Sequence, residues 1–104
     1  MVFIELPLFG KYVEFDDTEL WAIQQAIFQN PECGDLIQGA HGLRKMRAAV
    51  RGRGKRGGAR VIYYLWDRED RCYLVFAYLK TQMDDLTAKQ LKALVTVMSE
   101  EFGK

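Results

Sequence analysis

The sequence predicts a small α+β domain, with helices packed on a twisted sheet in the order strand, helix, three meandering strands, helix. Three observations carry that reading. ARVIYYLWD and CYLVFAYLK are nearly continuous runs of β-branched and aromatic residues, the composition of central strands covered by helices. Two other stretches repeat apolar residues at helical spacing behind a capping residue. A chain of 104 residues is long enough for one core. Residues 1–104 therefore read as one domain, without internal repeat or linker.

Val2–Phe9 is the first strand, and Pro7 marks it as an edge or a bend because proline cannot donate to a ladder. Asp16 or Asp17 caps a helix that begins near Thr18. Leu20, Trp21, Ile23, Ala26 and Ile27 form its apolar stripe, with Trp21 expected in the core. Asn30 and Pro31 end it, since the residue before proline is pushed out of the helical region. Gly34 to Gly42 reads as a loop. Leu43–Val50 then alternates, with Met46, Ala48 and Val50 on one side and Lys45 and Arg47 on the other. After a glycine-rich turn come the two apolar strands, joined through Arg68, Glu69 and Asp70. Thr87 and Gln90 fit a capping box. Leu91, Leu94, Val95 and Met98 follow as the stripe of a closing helix, which Phe102 extends.

The cations are gathered in one place. Arg44–Arg60 holds eight of the fifteen Lys and Arg and no acid, whereas the other seven face all fourteen Asp and Glu. A segment of +8 thus sits on a body of −7, although the whole chain is only +1. Such a field repels polyanions from most of the surface and captures them at one place. A loop selected only for solubility mixes its signs. An anionic partner is expected.

Other chemistries lack their motifs. The amino terminus has an early acid and no basic region, so no secretory signal is expected, and no apolar run has the length of a membrane span. Cys33 and Cys72 stand alone, which fits a reducing compartment and the cytoplasm. The glycines of the basic turn do not spell a nucleotide-binding loop, and His41 is the single histidine. Asp84 and Asp85, just before Thr87, read as helix-start electrostatics. Along the chain the carboxylates keep away from the cations, so no metal site and no cofactor are expected. Catalysis on a nucleic acid would have to run on cations and hydrogen bonds.

The stretch GDLIQGAHGLRKMRAAVRGRGKRGGARVIYYLWD, followed by YLVFAYLKTQMDDLTAKQLKAL, resembles a toxin of the RelE superfamily, nearest its HigB-like branch. GLRKxR, the KRGGxR turn, IYY and YxKxxxxDL stand in the family's order and spacing across about Gly34 to Val97. The resemblance implies a toxin of a bacterial toxin–antitoxin system that enters the ribosomal A site and cleaves messenger RNA. It also implies restraint by a co-encoded antitoxin, in this branch often a HigA-like protein with a helix-turn-helix domain. The family's catalytic basic positions correspond to Lys45, Arg47, Arg60 and Lys80. Where some relatives carry a tyrosine near the last helix, this chain has Leu86. Tyr78 is the candidate to replace that tyrosine as acid or base, and Tyr64, on the same strand face as Arg60, is a candidate stacking group.

The chemistry follows from these residue types. RNA carries its own nucleophile, the 2′-hydroxyl, so the protein must align the backbone, stabilise the phosphorane charge and help the 5′-oxygen leave. The Arg60 guanidinium fork suits a phosphate. Lys45, crowded by Arg44 and Arg47, is a candidate base. Arg44, Arg51, Arg53, Lys55 and Arg56 would grip ribosomal RNA phosphates. Two other readings remain: a non-catalytic RNA- or DNA-binding protein using the basic hairpin as an arm, and a gyrase-inhibiting relative. The Lys45, Arg47 and Arg60 set argues against the second. If the hairpin is the contact surface, replacing Arg53, Lys55 and Arg56 together with Ala should weaken ribosome binding. It should also flatten the log–log salt dependence by about 0.7 to 0.9 per lost phosphate contact, which a binding titration reads directly.

Overall fold

The computed structural model describes residues 1–50, 58–66, 70–83 and 85–101. The hairpin cations Arg51, Arg53, Lys55 and Arg56, and also Arg68, Glu69, Asp84 and Phe102, lie outside the described residues. Within them, the chain forms β1 (Val2–Glu5), α1 (Asp17–Gln29), β2 (Asp35–Leu36), β3 (Arg44–Ala48), β4 (Ala59–Trp66), β5 (Arg71–Leu79) and α2 (Ala88–Glu101). The sheet order is β1-β5-β4-β3-β2, with β1 parallel to β5 and the other neighbours antiparallel. The two apolar runs are its central pair. Ile23 and Ile27 of α1 pack with Val61, Tyr63 and Leu74 on one face, and Leu94 and Met98 of α2 pack with Ile62, Val75 and Tyr78 on the other.

Local chemistry sets the helix ends. Asp16 accepts from the Glu19 N–H at 2.7 Å while the Asp16 N–H donates to the Glu19 carboxylate at 2.9 Å, a complete capping box. Thr87 and Gln90 do the same for α2, at 3.1 Å and 2.8 Å. Trp21 departs from its expected place and is 62 % exposed. At about 100° per residue it lies well over a quarter-turn away from Ile23 and Ile27, which take the core stripe. Two strand expectations change as well. β1 stops at Glu5; the Leu6 N–H still donates to Leu74 at 3.0 Å, but Pro7 has no N–H to continue the ladder. The glycine-bearing segment after α1 is not all loop, because Asp35 and Leu36 pair with Lys45 and Arg44.

One irregularity fixes which side chains share a face. Ile62 pairs with Phe76 but Tyr63 pairs with Leu74, so Val75 is an extra residue in β5. Side chains alternate from Cys72 to Val75, and then the phase changes. Val75 and Phe76 both pack on the α2 side, and Tyr78 follows them there, whereas Ala77 and Leu79 join the α1 side.

Tyr63 ties the segment after α1 to the sheet. Its ring is fully buried, its hydroxyl donates to the Pro31 carbonyl at 2.7 Å, and it accepts from the Gly34 N–H at 2.8 Å. Gly34 is required at that approach, since a Cβ would lie 2.7 Å from the Tyr63 ring. Burial pushes the Tyr63 hydroxyl pKa well up, so it stays protonated. Tyr63→Phe should therefore cost about 1–3 kcal/mol by stranding two backbone groups, measured as a lower denaturation midpoint at unchanged m-value.

Candidate functional site

The antiparallel register sets the basic residues side by side. Arg47 of β3 stands opposite Arg60 of β4, and Arg60 stands opposite Tyr78 of β5, so these three form a row across the sheet. Lys45 lies one alternation away on β3, and Lys80 follows β5, its N–H donating to the Gly58 carbonyl at 3.2 Å. Lys45, Arg47, Arg60 and Lys80 together line a cleft of about 640 Å³, with Cys33 and Asp35 on its rim. Residues 35 positions apart in sequence thus share one concavity. All four expected catalytic cations meet there.

Other expected residues fall elsewhere. Arg44 is on the opposite sheet face, where its guanidinium donates to the Gly34 carbonyl at 2.8 Å. It therefore does not crowd Lys45 as the sequence reading supposed. Tyr64 is half-buried and lines a separate hollow of about 280 Å³ with His41, Trp66 and Met98. Tyr78 is fully buried and shows no ring face for a base to stack on. Its hydroxyl is different. It is buried, and the Asp85 carboxylate lies close enough to act on it as a charge and as an acceptor, although not in good hydrogen-bond geometry. Burial first, then the negative charge of Asp85, pushes its pKa up to about 12, against a smaller opposing effect of Arg60. At neutral pH it is a proton donor.

Carboxylates also reach the cleft, which corrects the expectation that they keep apart from the cations. Asp35 pairs with Lys45 in the β2–β3 register, and the Asp85 carboxylate meets the Lys45 ammonium at 3.2 Å. Asp85 also accepts from the Leu86 N–H at 2.8 Å. That backbone bond, followed by the hydrogen bond from Lys45, holds its carboxyl below the usual range. The place of Asp85 before Thr87 predicts a role at the start of α2, and no local signal in the sequence points to Lys45. Among the described residues, no three His, Cys, Asp or Glu side chains gather as a metal site would need, and no helix is long and apolar enough to cross a membrane.

Fold and cleft together define a small α+β protein with four cations around one concavity of a mixed sheet. Residues 9–103 match the RelE toxin of the RelE/RelB toxin–antitoxin system, and the chain belongs to this family. Membership implies a cognate antitoxin as partner. The fold is similar to that of a double arginine-to-alanine mutant of the E. coli toxin RelE in its free state. The TM-score is 0.57 at 11% identity, covering 93% of this chain and 95% of that one.

The buried Tyr78 hydroxyl makes a sharp prediction. A tyrosine with an ordinary unfolded pKa of about 10 and a folded value raised to about 12 binds its proton more tightly when folded. Its stabilising contribution is complete below pH about 10 and disappears as pH rises to about 12. Tyr78→Phe should change stability at neutral pH by no more than about 1 kcal/mol. The variant should also lose less stability than the parent between pH 10 and 12, as followed by denaturant titrations across that range.

Proposed function

We propose that this RelE-family toxin is a HigB-like, metal-independent endoribonuclease that cleaves messenger RNA in the ribosomal A site and so inhibits translation. The observation that supports this reading is the convergence of Lys45, Arg47, Arg60 and Lys80 from three strands on one cleft. A phosphodiester seated there meets positive charge from several directions, which is what an associative phosphorane needs as its charge grows. Arg60 sits mid-row and presents two parallel N–H donors to the phosphate oxygens. Arg47 and Lys80 flank it; the 2′-hydroxyl gives its proton to solvent water, and the Lys45 ammonium beside it stabilises the charge left on the 2′-oxygen. The O2′–P bond forms and the P–O5′ bond breaks. Tyr78, protonated and next to Arg60 in the row, returns a proton to O5′ once substrate binding opens its buried hydroxyl to the cleft.

The hairpin cations Arg51, Arg53, Lys55 and Arg56 serve ribosomal RNA in this reading. The ribosome supplies the positioning that a site without histidine lacks. The antitoxin proposed is a helix-turn-helix protein encoded beside the toxin, and the cytoplasm is the compartment where both would meet ribosomes.

End-group mapping decides the mechanism. Messenger RNA cut on ribosomes should carry a 2′,3′-cyclic phosphate or its 3′-phosphate product, with cleavage unaffected by chelator. A 5′-phosphate beside a free 3′-hydroxyl would refute it. Arg60→Ala should lower the cleavage rate on the order of 10²- to 10³-fold, and Arg60→Lys should recover only part, because the charge returns without the fork.

A further inference from the structure

Lys45 stands between two hollows. It lines the cationic cleft with Arg47, Arg60 and Lys80, and it also lines an adjoining hollow of about 290 Å³ shared with Asp85, Leu86 and Leu91. Asp85 lies on the side of that second hollow. Its Oδ1 is held by the Leu86 N–H at 2.8 Å and takes the Lys45 ammonium at 3.2 Å. The pair is accessible, with the side chains of Lys45 and Asp85 31% and 67% exposed. Such pairs are weak and exchange readily with other ions. Among the described residues Arg47, Arg60 and Lys80 form no ion pair, whereas Lys45 is held by a carboxylate of its own chain.

We propose that Asp85 is a positioning residue which holds the Lys45 ammonium beside the cleft in the free protein and yields it to an RNA phosphodiester on binding. The inference rests on the nuclease reading for the identity of the anion. The direction of exchange follows from charge: Asp85 meets one cation at its seat, whereas a phosphodiester in the cleft meets Arg47, Arg60 and Lys80 before Lys45 arrives. No bond is made or broken in this step and no proton moves. The lysine changes its anion, and its arrival completes the site only when substrate is present.

The test uses the full chain, a 2′-deoxy oligonucleotide that binds without being cut, and acylation of lysines by N-hydroxysuccinimide acetate read by mass spectrometry. Asp85→Asn should acylate at Lys45 about two- to fivefold faster and bind the oligonucleotide about two- to fivefold tighter, the range that an exposed ion pair allows. Asp85→Glu should restore the parental values on both counts, which loss of a merely structural contact would not require. Saturating oligonucleotide should protect Lys45 in the parent and in both variants. Unchanged labelling and affinity in Asp85→Asn overturn the inference. So does Lys45 labelling that persists in the parent at saturating oligonucleotide, a result independent of how well the variants fold. Neither measurement needs turnover. Protection and tighter binding with intact messenger RNA on ribosomes would refute the nuclease reading and leave the exchange standing; cleavage with unchanged labelling would do the reverse.

Discussion

The extra residue in β5 is the constraint on which the site depends. A strand has a side-chain period of two, so every residue beyond a bulge changes face. Val75 supplies that change, and it brings Tyr78 and the continuation to Lys80 onto the face where Lys45, Arg47 and Arg60 already point. A regular ladder would have aimed Tyr78 at α1, among Ile23 and Ile27, and the cationic cleft would have lost its third strand. The bulge sits in the middle of the buried central pair, where apolar packing on both faces holds it in place.

Four cations around one concavity repel one another, and the protein tolerates this through geometry and partial compensation. The register spaces Arg47 and Arg60 across neighbouring strands, the long side chains reach solvent, and Asp85 takes up Lys45. The compensation is incomplete, which leaves the cleft with a standing preference for anions. The buried Tyr78 hydroxyl belongs to the same pattern. It is a polar group set between Arg60 and the Asp85 carboxylate, without a hydrogen bond of good geometry among the described residues. Sites that violate local satisfaction rules while the rest of the fold obeys them are where function concentrates.

The elements were legible because their signals are local. The Thr87–Gln90 capping box was readable as a residue spacing, and for α1 the sequence offered Asp16 or Asp17, of which the structure uses Asp16 with Glu19. The alternation of Met46 and Ala48 against Lys45 and Arg47 appears on β3 as read. The errors have one character. Trp21 was assigned by proximity to the apolar stripe, whereas its angle around the helix turns it to solvent. Arg44 was grouped with its neighbours in sequence, though a strand sends adjacent side chains to opposite faces. The short pairing of Asp35 and Leu36 carries no local signature, because it is held by Tyr63 gripping Pro31 and Gly34 from a distant strand.

By itself the sequence determined the order of elements other than β2, the central strands, the Thr87–Gln90 cap, and a local concentration of positive charge. These depend on periodicity, backbone chemistry and composition, each contained within a few neighbouring residues. Only the tertiary structure decided which of the cations share a cleft, that Arg44 leaves it, that Tyr78 enters its row, and that Asp85 holds Lys45. Each of those outcomes is a long-range pairing. A single extra residue in β5 or one turn before α2 changes which groups meet across the sheet, and no window of the chain contains both partners.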